Sequence, residues 1–302
     1  MQEGNLNILF GRVFGIGNAV MSIPAIKHYR DNGGHNLTVL VGTTNDDYGS
    51  YDILRMISGI RVLTDKELIE KPERFDVGVL SIPHDGRWIS LFSSICDSVV
   101  DGRTRPDPTT FGFSSWKKHE ALYQLEVAES ITNTKSEKVD SSFFESSEIP
   151  CENSVFLGVG YKRDSANFWN VKHWGDENFF RFAQLVLSEN ENTKIVLTGN
   201  SLDIQNAGRL VAMLGSRVTI ATGIRKSIEL LWKCGSYVGN DTGMMHVAAS
   251  MNKKVIGIFN LEGTETKNPP LCDVNKVILG YHPHSNPSAK FVYDTWKELI
   301  TK

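Results

Sequence analysis

Short apolar runs alternate with helical patterns along almost the whole chain, and this alternation restricts the possible folds more than any other feature. In the first half the predicted strands are Leu6–Phe10, Leu37–Val41, Ile60–Leu63 and Val77–Leu80. In the second half they are Val155–Leu157, Lys194–Leu197, Val218–Ile220, Tyr237–Val238 and Val255–Phe259. Helical patterns separate the strands, which is typical of parallel sheets with crossover helices. The sequence therefore predicts an α/β fold.

One segment near the middle, Thr132–Asn153, interrupts this pattern and is rich in Ser, Glu and Lys. Such a composition is typical of a linker, and 302 residues suffice for two cores. We therefore predict two Rossmann-like domains, residues 1–140 and 150–302. Ligands of parallel sheets bind outside the carboxyl ends of the strands, so the expected site is a cleft between the domains. We also expect that a final helix, Phe291–Ile300, can pack back on the first domain.

Composition limits the kinds of partner. A hydrophobic content of 40% and a formal net charge of −3 describe an ordinary globular protein with no overall attraction to nucleic acid or anionic lipid. The four cysteines are far apart and have no metal-ligand spacing, so we expect free thiols in a reducing compartment. Without a signal peptide or a long apolar run, the chain is expected to be cytoplasmic and to have no integral membrane segment.

The segment Tyr237–Phe259 predicts a strand, a short polar loop, a helix and a second strand. Asp241 or Thr242 is expected to be the N-cap residue, and Gly243 permits a close approach to the backbone. Because the N–H groups at a helix start attract anions, this is where a diphosphate would bind. His246 follows within the first turns, where a packed residue and a phosphate ligand are both compatible with the pattern.

A second segment, Gly158–Trp174, follows the first strand of the second half and contains a group of cations. Lys162, Arg163 and Lys172 can all lie at the carboxyl end of that strand, where they would either bind an anion or form a solvated basic loop. As a loop residue, Lys172 is expected to contribute little to stability. Trp174 is interpreted as a packing residue.

A glycine-bearing loop, Gly11–Pro24, follows the first predicted strand. Gly15 and Gly17 match half of a dinucleotide fingerprint, but Val20 stands where the third glycine belongs. The pattern therefore disfavours a nicotinamide site and favours a loop that brings its backbone near a substrate. In the second half, Asp203 follows a strand and could accept hydrogen bonds from ribose hydroxyls or complement a helix dipole.

Taken together, these segments resemble the heptosyltransferase family of glycosyltransferases. The matching pieces, in chain order, are GIGNAVMSIPAIKHY, WKKHEALYQLEVA, VKHWGDENFFRFAQLV, VLTGNSLD and VGNDTGMMHVAASMNKKVIGIF. The last resembles the D-(S/T)-G-x-x-H motif of the family and is the most specific match. The resemblance implies a GT-B fold, no metal and no cofactor, with the nucleotide bound by the C-terminal domain. It also implies a diphosphate site formed by Lys172, Thr242, Gly243 and His246, a ribose contact at Asp203, and a donor sugar or diphosphate contact at Asp241.

One position departs from the family. Asn18 stands where the family carries the Asp proposed as general base, and an amide cannot accept a proton from a hydroxyl at neutral pH. Asp85 or His84 is the nearest replacement in the expected cleft, unless the acceptor needs little activation or activity has been lost. Because Asp and Asn are nearly isosteric, Asn18→Asp is expected to be tolerated.

The resulting hypothesis is a metal-independent inverting glycosyltransferase that moves a sugar, heptose or another, from a nucleotide-diphosphate donor to an acceptor hydroxyl. The acceptor is expected to be a saccharide, with a protein side chain or a modified nucleobase left open. Two alternatives remain: a nucleotide-sugar epimerase or hydrolase on the same scaffold, and an inactive nucleotide-sugar-binding protein.

Overall fold

The chain divides into two compact units, Met1–Phe143 and Phe144–Lys302, hereafter the first and the second unit. The computed structural model describes residues 5–32, 34–42, 48–80, 86–101, 118–160, 172–199, 208, 211–212, 215–281 and 286–301.

The first unit is built on a parallel five-stranded sheet with strand order β3-β2-β1-β4-β5. Its elements are β1 (Asn7–Val13), α1 (Ile16–Asp31), β2 (Asn36–Val41), α2 (Tyr48–Leu54), β3 (Arg61–Thr64), α3 (Asp65–Glu70), β4 (Phe75–Leu80), α4 (Gly86–Ile95), β5 (Cys96–Asp101) and α5 (Glu120–Thr132). The order reverses between β1 and β4, so the loops after these strands lie at the topological switch point, where doubly wound sheets bind ligands.

The strand β1 becomes irregular near its end, at Gly11. Ile8, Leu9 and Phe10 are buried, as expected for a strand covered on both faces. At Gly11 the backbone has a φ of 146°, and a Cβ there would lie 2.5 Å from the carbonyl oxygen of Leu40. A residue with a side chain would clash there, and the pairing register with β2 shifts at the same point. The glycine therefore permits an irregularity in the pairing two residues before β1 ends.

The second unit repeats this plan with six parallel strands in the order β11-β10-β9-β6-β7-β8. Its elements are β6 (Cys151–Gly158), α6 (Asp176–Glu189), β7 (Lys194–Thr198), a 3₁₀ turn (Gly215–Arg217), β8 (Val218–Ala221), α7 (Ile224–Lys233), β9 (Cys234–Asn240), α8 (Gly243–Ser250), β10 (Lys254–Phe259), α9 (Thr264–Lys267), β11 (Asn275–Leu279) and α10 (Ala289–Ile300). Here the switch point lies between β6 and β9.

The C-terminal helix α10 belongs to the second unit. Tyr293, Trp296 and their apolar neighbours lie in one buried cluster with residues of α6 and of the sheet. The indole Nε1 of Trp296 donates a hydrogen bond to Ser236 Oγ on β9 at 2.9 Å. The helix begins at the N-cap Ser288, whose hydroxyl accepts from the backbone N–H of Phe291. Its apolar face therefore stabilises the core of the second unit.

The Ser-rich central segment is anchored at both ends. After α5, the ring of His28 on α1 makes hydrogen bonds of 2.7 Å with Thr132 and with Ser136. Further on, Phe144 packs edge-on against Trp232, whose indole Nε1 donates to the carbonyl oxygen of Glu148 at 2.9 Å. The change of partners from α1 to α7 lies where one unit ends and the other begins.

Several elements differ from the sequence expectations. The strands β5 and β11 and the short helices α3 and α9 were not predicted. The sequence pattern predicts a helix over Ile228–Cys234, but Cys234 is the first residue of β9. The pattern also predicts a helix over Leu202–Leu214, most of which lies outside the described residues.

Candidate functional site

The candidate site lies at the switch point of the second sheet. β6 and β9 are neighbours in this sheet, and Gly158 near the end of β6 pairs with Gly239 near the end of β9. Lys172 lies beyond the end of β6, and Asp241 directly follows β9. The carboxyl ends of the two strands therefore bring together residues that are 69 positions apart in the chain.

Lys172 and Asp241 form an ion pair. The ammonium Nζ donates to Asp241 Oδ2, and the side chains are only 10% and 3% exposed. We expected the Lys172 side chain to make few packing contacts, and this expectation was wrong. A buried charge is tolerated when it is paired, and removal of one partner leaves the other without compensation. The pair is therefore a structural contact of the second unit.

The start of α8 lies beside this pair. Thr242, rather than Asp241, is the N-cap residue, and the Asp241 carboxylate is engaged by Lys172. The Thr242 side chain makes no capping hydrogen bond, so it leaves the N–H groups of the first turn to other acceptors. Gly243 is the first residue of the helix. The partial positive charge of a helix N-terminus thus adds to the charge of Lys172.

Tyr237 explains the glycines at this strand end. A Cβ at Gly158 would lie 2.1 Å from the Tyr237 hydroxyl, and one at Gly239 would lie 2.6 Å from it. These two glycines therefore make room for a buried tyrosine. Burial raises the pKa of Tyr237 well above its ordinary value, so the phenol is neutral. His246, one turn into α8, is buried as well.

Trp174 is fully buried, and its interpretation as a packing residue is confirmed. Its ring makes an edge-on contact with Phe179 at 4.9 Å, and the indole Nε1 donates to Pro287 O at 2.7 Å. The Trp174 backbone N–H donates to Asn240 Oδ1 at 3.0 Å. We did not predict Asn240 as a residue of the site, although a polar residue at the end of an apolar strand was a usable signal.

Several predicted residues lie outside the described part of the chain. They are Lys162 and Arg163 of the basic loop, Asp203 of the proposed ribose contact, and His84 and Asp85 of the proposed base. Their roles stay predictions.

In the first unit, Gly15 lies in the loop after β1, and Gly17 and Asn18 lie in the first turn of α1. Gly15 is the N-cap residue of α1 with a φ of 82°, a conformation that favours glycine. Asn18 Nδ2 donates to the carbonyl oxygen of Phe14 at 2.8 Å. An aspartate has no donor when ionised and would face that carbonyl with a negative charge. The structure therefore contradicts the expectation that Asn18→Asp is structurally neutral.

Across the residues that the structure describes, no group of three or more His, Cys, Asp or Glu side chains is arranged to hold a metal ion. No helix in the described part of the chain has both the length and the apolar character needed to cross a membrane.

Two doubly wound parallel sheets, one in each unit, define the class: the protein has a GT-B fold of two Rossmann-like domains. Residues 163–297 match the model of glycosyltransferase family 9 (heptosyltransferase). The matched region contains Lys172 and the whole of α8. The predicted fold class is thereby confirmed.

The curated relatives match over part of their length. Lipopolysaccharide heptosyltransferase 2 of Salmonella typhimurium is 27% identical over 127 residues, which are 39% of this chain and 36% of the relative. The enzyme of the same name from Escherichia coli K12 is 26% identical over 127 residues, with the same shares of both chains. The chain thus spans about a third of the length of these relatives in the alignment.

Solved structures match over nearly the whole chain. E. coli ADP-heptose lps heptosyltransferase II superposes with a TM-score of 0.73 at 17% identity, covering 98% of this chain and 99% of that one. A family 9 glycosyltransferase from Veillonella parvula gives 0.74 at 14% identity, covering 100% and 99%. E. coli heptosyltransferase WaaC with ADP gives 0.71 at 15% identity, covering 97% and 99%. The resemblance to heptosyltransferase-like glycosyltransferases is therefore confirmed.

Proposed function

We propose that the protein is a metal-independent inverting glycosyltransferase that moves a sugar from a nucleotide-diphosphate donor to an acceptor hydroxyl. The observation that supports this most strongly is the buried Lys172–Asp241 ion pair at the switch point of the second sheet, beside the start of α8. A fixed cation and a helix N-terminus are the groups that stabilise a developing diphosphate charge.

The donor side has three parts in this proposal. Lys172 has three N–H donors, so it can keep Asp241 and also bind a phosphate oxygen. The backbone N–H groups near Thr242 and Gly243 face the same phosphates. As the bond to the sugar breaks, negative charge grows on the leaving diphosphate, and these groups stabilise it without a metal ion or cofactor. Asp203 is the proposed ribose contact, and His246 supports the phosphate site from inside α8.

The identity of the donor is proposed from the relatives. Two similar solved structures are E. coli heptosyltransferase WaaC with ADP and with ADP-2-deoxy-2-fluoro heptose, so an adenine nucleotide and a heptose are the first candidates. Two relatives carry lipopolysaccharide in their names, so a saccharide is the first candidate for the acceptor.

The acceptor side is proposed to lie at the switch point of the first sheet, where the strands β1 and β4 are adjacent. Gly15 and Gly17 would bring the chain after β1 close to the acceptor. Asn18 is already a donor to Phe14 O and cannot act as a base. Asp85, five residues beyond the end of β4, is the proposed general base.

A second candidate function is an inactive nucleotide-sugar-binding protein, and the neutral amide at position 18 favours it. Measurement of nucleoside diphosphate release separates the candidates. The wild-type protein is incubated with ADP-, UDP-, GDP- and CDP-sugars, with and without saccharide acceptors. A transferase releases the diphosphate only when an acceptor is present. Release without an acceptor would indicate a hydrolase, and ligand-induced thermal stabilisation without any turnover would indicate the inactive protein.

A further inference from the structure

The backbone next to Lys172 is fixed by asparagine side chains from four different places in the second unit. Asn260 Nδ2, just after β10, donates to His173 O at 3.1 Å. The carbonyl oxygen of Trp174 accepts from Asn178 at 2.9 Å and from Asn286 at 3.1 Å. Together with the bond from Trp174 N–H to Asn240, residues 173–174 make four hydrogen bonds to amide side chains. A loop held in this way has little freedom to move its neighbour, Lys172.

Asn240 differs from the other three because both ends of its amide are used. Asn240 is fully buried, with 0% of its surface exposed. Oδ1 accepts from Trp174 N–H at 3.0 Å, while Nδ2 donates to Gly160 O at 3.1 Å and approaches Val159 O at 3.4 Å. Asn240 thus connects the start of the loop after β6 to its end.

No other common side chain of this size can replace this amide. Aspartate could accept from Trp174 N–H, but it would place a negative charge beside the Gly160 carbonyl and next to Asp241. Leucine would leave a buried N–H and a buried carbonyl without partners, which costs about 1–3 kcal/mol for each group. Alanine removes the bonds and leaves space.

We infer that Asn240 is a positioning residue for the donor site, which sets the loop after β6 so that the Lys172 ammonium lies against Asp241. Asn240 and Asp241 are adjacent in the chain. The same strand end therefore carries both the group that holds the Lys172 loop and the partner of the Lys172 charge. The effect of Asn240 on the nucleotide diphosphate rests on the proposed function, whereas its effect on Lys172 does not.

The first test is the chemical reactivity of Lys172, which needs no nucleotide. The full chain is treated with a limiting amount of an amine-reactive acetylating reagent. Modification of Lys172 is then followed by peptide mass spectrometry in wild type, Asn240→Ala and Ser236→Ala. Ser236 is the matched control, because it is also fully buried on β9 and also loses a hydrogen bond, the one from Trp296. We expect faster acetylation of Lys172 in Asn240→Ala only. Equal rates in the three proteins would overturn the inference.

Variants of two other asparagines that hold residues 173–174 extend this test if Asn240→Ala does not fold. Asn286→Ala removes one hydrogen bond to Trp174 O from an exposed residue, and Asn260→Ala removes its hydrogen bond to His173 O. Each is expected to raise the acetylation rate of Lys172 above that of wild type and of Ser236→Ala. If neither raises it, the loop does not depend on its amides and the inference is wrong.

The second test asks whether the positioning acts through Lys172. The affinity for the tightest binder among ADP, UDP, GDP and CDP is measured in wild type, Asn240→Ala, Lys172→Met and the double variant. We expect Asn240→Ala to weaken binding roughly tenfold, which corresponds to about 1.4 kcal/mol, and to have no further effect once Lys172 is absent. Additive effects would contradict an action through Lys172. If acetylation rises but no diphosphate binds wild type, the proposed function fails and the positioning stands.

Discussion

The two switch points of this protein carry different chemistry. In the second unit, the strand ends bring together a buried cation, a buried carboxylate and a helix N-terminus. In the first unit, residues 14–18, which follow β1 and include the first turn of α1, contain no titratable side chain, and their most polar group is the Asn18 amide. The sheets themselves follow the same doubly wound plan. The loops after equivalent strands, rather than the sheets, therefore decide what each unit can bind.

The difference extends to how the polar groups are held. Lys172 is held by Asp241, and its neighbours by distant asparagines, so its position depends on the tertiary structure of the whole second unit. Asn18, in the first turn of α1, is held by Phe14, four residues earlier in the chain. The first position depends on long-range contacts and the second on a local turn, which predicts different responses to substitution.

The largest effect is expected for Lys172→Met. It leaves the Asp241 carboxylate buried and unpaired, which should lower the free energy of unfolding by about 3–5 kcal/mol. Chemical denaturation measures this directly. Lys290→Met is the matched control, because Lys290 pairs with Asp294 on the surface, where such pairs contribute about 0–1 kcal/mol.

The double variant Lys172→Met, Asp241→Asn sharpens this prediction. It removes the unpaired charge and should recover part of the lost stability. If Lys172→Met unfolds no more readily than Lys290→Met, the two switch points do not differ in the way described here.

An intermediate effect is expected at the first switch point. Asn18→Asp exchanges the hydrogen bond to Phe14 O for a repulsion and should lower the free energy of unfolding by about 1–3 kcal/mol. Asn18→Ala only removes the bond and should cost less. Because a protonated carboxyl can donate to the carbonyl, the deficit of Asn18→Asp should shrink as the pH falls towards 4. A pH-independent deficit equal to that of Asn18→Ala would argue against the local hydrogen bond.

The smallest effect concerns His28, which anchors the central segment to the first unit. Burial lowers the pKa of His28 below its ordinary value of 6.5, although the nearby charges of Glu129 and Asp31 oppose the shift and Lys135 reinforces it. The folded state therefore disfavours the proton. Above pH 6.5 both states are neutral, and below it the unfolded state gains protons first. As the pH is lowered below 6.5, the free energy of unfolding should thus decrease by at most about 1.4 kcal/mol per pH unit.

Urea unfolding of wild type and His28→Gln at pH 7.5 and 5.5 measures this contribution. Glutamine keeps a donor and an acceptor but does not titrate. Wild type should lose more stability between the two pH values than the variant. Equal losses would show that His28 is not the group responsible.

All central strands and the edge strands β3 and β8 could be predicted from the sequence, whereas the edge strands β5 and β11 could not. β5 and β11 lie at the edges of their sheets, and β5 begins with Cys96-Asp97-Ser98 and β11 with Asn275-Lys276. An edge strand is covered less completely, so it does not need the continuous apolar run by which the central strands were recognised. The helix α3 had a usable signal, because Thr64 and Glu67 form a capping box.

For the site, the sequence predicted which loops matter but not how their residues pair. The strand ends before Lys172 and Asp241 were visible as apolar runs that stop at polar residues. Their ion pair depends on β6 and β9 being neighbours, which follows from the topology of the sheet and from no local pattern. The same holds for Asn240, whose three partners lie 66–81 residues away in the chain.

The most direct test of the account is the affinity of Lys172→Met for a nucleoside diphosphate, measured by titration calorimetry well below its unfolding temperature. Wild type and Lys290→Met are the references, and the ligand is the tightest binder among ADP, UDP, GDP and CDP. We predict that Lys172→Met loses roughly 1.5–3 kcal/mol of binding free energy, the scale of a hydrogen bond to a charged group, while Lys290→Met binds as wild type does. Binding of equal strength by all three proteins would contradict the assignment of the donor diphosphate to the switch point of the second sheet.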